Sequence, residues 1–152
     1  MKRSVIVDTA VRLIFPSALV LSVYLLFAGH NQPGGGFVGG LVAGAAMALV
    51  YVAGGIDDVR TVARVQPWTV LGVGLLIAAG TALAPLVSGG ALLEHGKVEL
   101  DPPLLGHVKV TSTLVFDIGV YVLVVGLVLM VLEAFGDEIT PTTDGHRSRG
   151  GR

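Results

Sequence analysis

Asp117 has the strongest claim to chemistry in this chain. It is the one carboxylate well inside a long apolar run, residues 111–132. On a helix rising 1.5 Å per residue it would lie about 7 Å from the middle of that run. A charge at such depth in a bilayer costs at least ~2.5 kcal/mol, so a residue of this kind normally faces protein or water. Thr113 and Tyr121 stand four residues to either side and share its helix face. The stripe Thr113-Asp117-Tyr121 suits proton transfer or cation binding; equally, Asp117 suits pairing with a donor on a neighbouring helix. His30 carries a similar pair of readings. Its imidazole titrates near neutral pH and suits a proton relay near the outer surface. It also stands where a donor would cap the unpaired carbonyls ending a helix.

Other chemistries find no support. There is no cysteine, which excludes disulfides, thiolate metal sites and cysteine nucleophiles. His95 and His107 share residues 89–110 with Glu94, Glu99 and Asp101, but their spacing matches no metal-ligand pattern. Gly34-Gly35-Gly36 precedes an apolar run rather than following a strand, so it fails the context test for nucleotide binding. A formal net charge of −1 offers no attraction for nucleic acid. No metal, cofactor or covalent catalysis is expected.

The elements that would position these groups are membrane helices. Charged residues make up 14% of the chain, against about 25% in soluble domains, and the mean hydropathy is +0.80. Residues 13–56 hold no Asp, Glu, Lys or Arg, which is too long for one crossing of roughly 20 residues. In their middle lies Gly29-His30-Asn31-Gln32-Pro33-Gly34-Gly35-Gly36-Phe37. Pro33 cannot donate a backbone hydrogen bond, and the glycines reach conformations closed to other residues. The composition therefore predicts an all-α integral membrane protein of four transmembrane helices, the first two joined by a tight Gly/Pro hairpin. The spans fall at about 13–28, 37–56, 68–88 and 111–132 within a membrane domain of residues 1–136. Residues 137–152 read as a polar, disordered tail. Between the third and fourth spans, alternation in Val98-Glu99-Leu100 and His107-Val108-Lys109-Val110 hints at short extended segments.

Lys2 and Arg3 precede an apolar run as in a signal peptide, but Asp8 and Arg12 interrupt it, so an uncleaved first helix is expected. Lys2, Arg3, Arg12, Arg60, Arg64, Arg147, Arg149 and Arg152 fall on one membrane face, against Lys97 and Lys109 on the other. The positive-inside rule then places both termini in the cytoplasm.

Small residues recur every four positions in the second span, at Gly36, Gly40, Gly44 and Ala48, beside a row of Gly35, Gly39 and Ala43. Gly74, Ala78 and Ala82 repeat the device in the third. Such rows let helix backbones approach closely in lipid, and two of them suggest packing against other membrane subunits.

Two segments resemble a known family. The stretch from Gly29 to Leu41, with Gly29, His30, Asn31, Pro33, Gly34, Gly35, Gly36 and Phe37 at its centre, resembles the glycine-rich hairpin of the B-subunit family of Mrp (or Mnh) cation/proton antiporters. Leu114-Val115-Phe116-Asp117-Ile118-Gly119-Val120-Tyr121 resembles that family's last-helix motif. The likeness covers residues 10–136. It implies an accessory plasma-membrane subunit, not an enzyme, of a hetero-oligomeric complex exchanging monovalent cations, chiefly sodium, for protons. Its implied partners are other membrane subunits, two of them large and related to the proton-pumping subunits of respiratory complex I. Similar modules occur in membrane-bound hydrogenase and complex I-related assemblies, which is one alternative. A self-sufficient, homo-oligomeric proton-coupled transporter is another, though the first three spans lack the carboxylate such proteins usually carry.

Overall fold

The structure is a computed structural model that describes residues 5–29, 33–87, 97–99 and 109–138. His30, Asn31 and Gln32, most of the third loop with His95 and His107, and the tail from residue 139 lie outside the described residues. Five helices and a two-stranded ribbon are described: α1 Val5–Ala28, α2 Gly36–Gly54, α3 Ile56–Val62, α4 Pro67–Val87, β1 Lys97–Glu99, β2 Lys109–Thr111 and α5 Ser112–Glu138. Helices α1, α2, α4 and α5 are each long and apolar enough to cross a membrane.

Helix α1 starts at Val5, eight positions before the uncharged run. The charges that precede that run do not delay the helix but pair across one turn, Arg12 Nε donating to Asp8 Oδ2 at 3.1 Å. An acid one turn before a base is the favourable order on a helix. At its far end α2 stops at Gly54, short of Ile56. Gly55 takes φ 84°, a left-handed conformation that favours glycine, and its N–H bonds the Tyr51 carbonyl at 2.7 Å. The short α3 then begins, with Asp57 and Asp58 in its first turn, where carboxylates complement the helix dipole. Pro67 opens α4, where its missing N–H costs nothing, and the Gln66 carbonyl accepts from Thr69 and Val70 at 3.0 and 3.2 Å. The extended segments hinted at beyond α4 are β1 and β2, antiparallel with Val98 opposite Val110.

The long helices form a row, in the order α1, α2, α5, α4, rather than a closed square. Helix α2 sits between α1 and α5, and α4 covers the other flank of α5. The difference in burial follows: 39% of the α2 span is buried, but only 11% of the α1 and α4 spans. One apolar cluster, Val50, Val59, Leu129 and Leu132, closes the end of the row where α3 tucks beneath α2 and α5.

The glycine rows decide this order. Helices α2 and α5 run parallel, and the positions facing Gly36, Gly40 and Gly44 are Asp117, Tyr121 with Val124, and Val128. A Cβ on Gly40 would lie 2.9 Å from that of Val124, and one on Gly44 2.7 Å from Val128 Cγ2. The second row meets α1: a Cβ on Gly39 would lie 2.8 Å from the Ser22 carbonyl oxygen. Across the row, Gly74 and Ala78 of α4 meet Leu123 and Gly119 of α5, while Gly126 fits against Leu71. The rows expected to dock other subunits are thus filled within this chain. The faces left open are chiefly the outer flanks of α1 and α4.

Candidate functional site: the hairpin and the Asp117 junction

Gly35 and Gly36, at the start of α2, lie against Asp117 of α5, and Gly35 also bonds α1, so three backbones converge there. Gly35 holds φ 100°, a conformation costly for side-chain-bearing residues, and its N–H donates to the Leu25 carbonyl of α1 at 2.9 Å. That bond ties the start of α2 to the last turn of α1. Next along, a Cβ on Gly36 would run into the backbone carbonyl of Asp117. Only glycine permits α2 to start so close to α5.

Asp117 faces the mouth of α2. A Cβ on Gly35 would sit 3.6 Å from Asp117 Oδ2 and 3.7 Å from Oδ1, so the carboxylate lies against the N-cap residue. Gly35 offers no side-chain cap. The positive end of the α2 dipole and the carboxylate therefore face each other, an arrangement worth ~0.3–1 kcal/mol at a surface and up to ~2 kcal/mol when partly buried. Asp117 is half-buried, and among the described residues its carboxylate forms no hydrogen bond or ion pair. Helix α5 extends to Glu138, so Asp117 stands about 12 Å from its middle and nearer the hairpin end.

Tyr121 does something different. Its hydroxyl and Ser22 Oγ are 2.9 Å apart, and Ser22 Oγ donates to the Gly39 carbonyl at 2.8 Å. A serine hydroxyl has one proton, so with that proton on Gly39 the tyrosine donates to the serine. Ser22 is completely buried. The chain Tyr121–Ser22–Gly39 links α5, α1 and α2 in one hydrogen-bonded tie. Sequence reasoning missed Ser22; the available signal was a hydroxyl in mid-span, facing the glycine row.

The polar stripe is therefore divided. Asp117 meets the start of α2, Tyr121 is committed to the helix tie, and Thr113 is a half-buried residue of the first α5 turn. His30 lies outside the described residues. At the opposite end of α5, Glu133 is bonded by Arg60 of α3 at 3.1 Å, a partner the sequence did not indicate.

A family model described as a domain related to the MnhB subunit of Na+/H+ antiporter matches residues 6–130. Both the hairpin and the Asp117 motif fall inside that match. This chain belongs to the MnhB family. It is 37% identical over 133 residues to the B-type Na+/H+ antiporter subunit of Bacillus subtilis, covering 88% of this chain and 93% of that protein. It is 35% identical over 137 residues to the subunit of the same name from Alkalihalophilus pseudofirmus, again covering 88% and 93%. Among solved structures, it is similar to the Mrp complex from Dietzia sp., with a TM-score of 0.74 and 34% identity. That likeness covers 90% of this chain but 14% of the matched chain.

Membership in the MnhB family gives the open row a rationale. An MnhB chain that buries only 11% of its outer spans presents two apolar flanks, as suits a module working beside other membrane subunits. The whole is a multi-pass membrane protein.

Proposed function

We propose that this chain is the B-type subunit of a multisubunit Na+/H+ antiporter, working by secondary transport rather than as an enzyme. The observation that carries the reading is the MnhB match over residues 6–130. The four-span fold and the exposed flanks of α1 and α4 support it. The subunit sits in the plasma membrane with both termini in the cytoplasm, as the distribution of Lys and Arg favours. Within the assembly, Asp117 lines or electrostatically tunes an ion path. What supports that role is its carboxylate against the positive end of α2, free of ion pairs among the described residues. Thr113 and His30 are further candidates. The neighbouring Tyr121 serves the helix tie first.

Everted membrane vesicles containing the complex with and without this chain test the reading, with the fluorescence of a pH-sensitive dye after sodium addition as the readout. Sodium-driven proton movement is expected only when the chain is present. Undiminished exchange in its absence would remove it from the transport unit.

A further inference from the structure

Residues 55–66 connect two membrane spans, α2 and α4, on one face of the bilayer, so they lie at the level of the lipid headgroups. There α3, the start of α4 and the last turns of α5 enclose a cleft of about 240 Å³. Its deep walls include the buried Val59 and Leu129. Polar groups gather around them: Arg60, Arg64 and Glu133 line the cleft, and Trp68 borders it while remaining 58% exposed. Asp57 and Asp58, though on the same short helix, do not line it.

Glu133 engages Arg60, so the cleft keeps a net positive charge through Arg64. Among the described residues Arg64 forms no ion pair, and it is exposed. Guanidinium groups present planar, paired N–H donors that match phosphate oxygens. Tryptophan prefers the boundary between headgroups and acyl chains. A cationic mouth over an apolar interior, placed at that boundary, complements an amphiphile with an anionic head.

We propose that this cleft binds the phosphate headgroup of an acidic phospholipid, held by Arg64. Val59 and Leu129 contact the upper part of an acyl chain, and Trp68 closes the lipid side. The site lies at the far end of α5 from Asp117.

The intact complex, reconstituted in nanodiscs, tests this with a photoactivatable phosphatidylglycerol, followed by mass-spectrometric mapping of the labelled peptides. Label is expected on residues 60–68 and on the end of α5. Arg64→Gln is expected to reduce it about fivefold, the contribution of one arginine near an anionic surface. Glu133→Gln, which removes the competing carboxylate, is expected to raise it. The proposal is overturned by equal labelling from a photoactivatable phosphatidylcholine, by full competition from inorganic phosphate, or by indifference to both substitutions. Labelling confined to another subunit seated over the cleft would overturn it too.

Discussion

Tyr121 donates its hydroxyl proton to Ser22 across 99 positions of sequence, and Ser22 passes its own to the carbonyl of Gly39. The three residues belong to three helices. With Ser22 wholly buried, the tie is shielded from competing water and sets the register of α1 and α5 against α2. It exists only because Gly39 has no side chain to hold α1 away.

Removing either hydroxyl should loosen this register. Tyr121→Phe leaves Ser22 bonded to Gly39 and is expected to cost about 0.6 kcal/mol, the average for hydrogen bonds inside membrane proteins. Ser22→Ala leaves the Tyr121 hydroxyl without its partner, while the Gly39 carbonyl keeps its bond within α2, and is expected to cost about 1–3 kcal/mol. A double-mutant cycle read by reversible unfolding in bicelles should give a coupling clearly above zero. Strict additivity would mean the two groups do not interact.

The glycine seam makes a sharper prediction, since it places the damage inside the chain. Gly40→Leu drives a side chain into Val124 and the Tyr121 carbonyl and is expected to split α2 from α5. The subunit would then be proteolysed before it meets a partner, and pulse-chase labelling in cells lacking the other subunits should show accelerated turnover. Gly72 has nothing within 4 Å of the space a Cβ would take. Gly72→Ala should leave the chain's lifetime unchanged, whatever it does to assembly.

The Arg60–Glu133 bond should matter less. Both side chains keep contact with solvent, at 48% and 28% exposure, and ion pairs of this sort are worth ~0.2–1 kcal/mol. Glu133→Ala is expected to lower the unfolding free energy by no more than that, with the loss shrinking as salt rises. A loss several times larger, unaffected by salt, would mean the pair organises α3 in a way the exposure does not suggest.

Much of this architecture is legible in the sequence because the bilayer dictates it. An apolar run of fixed length must be a helix, and Gly-Pro punctuation must end one, so four spans follow directly. The packing rows are equally visible, but a glycine row does not say which helix fills it. The row at Gly36, Gly40 and Gly44 suits another subunit as well as it suits a helix of the same chain, and α5 occupies it. Helix α3 stays hidden because Gly54-Gly55 lies at the end of an uncharged stretch, and a seven-residue helix has too few turns to show a period. The start of α1 ahead of Arg12 is legible because the first apolar run is short for a span, though the exact residue, Val5, is not. Asp117 stands out by its type and position, yet its place along α5 depends on where that helix ends, and α5 runs past the apolar run to Glu138, carrying Glu133 and Gly136 within it. Ser22 and Tyr121 meet only through the tertiary order of the helices, which local pattern does not encode.

Asp117 carries the functional account, and its charge is the part that can be removed with least disturbance. Asp117→Asn preserves the shape beside Gly35 and Gly36 while cancelling the carboxylate that faces the start of α2. The decisive measurement is sodium-driven proton exchange by vesicles carrying the Asp117→Asn complex, normalised to subunit content on native gels. A fully assembled complex whose exchange falls well below that of the unaltered one is the predicted result. Normal exchange by the assembled Asp117→Asn complex would contradict a role for this carboxylate in the ion path.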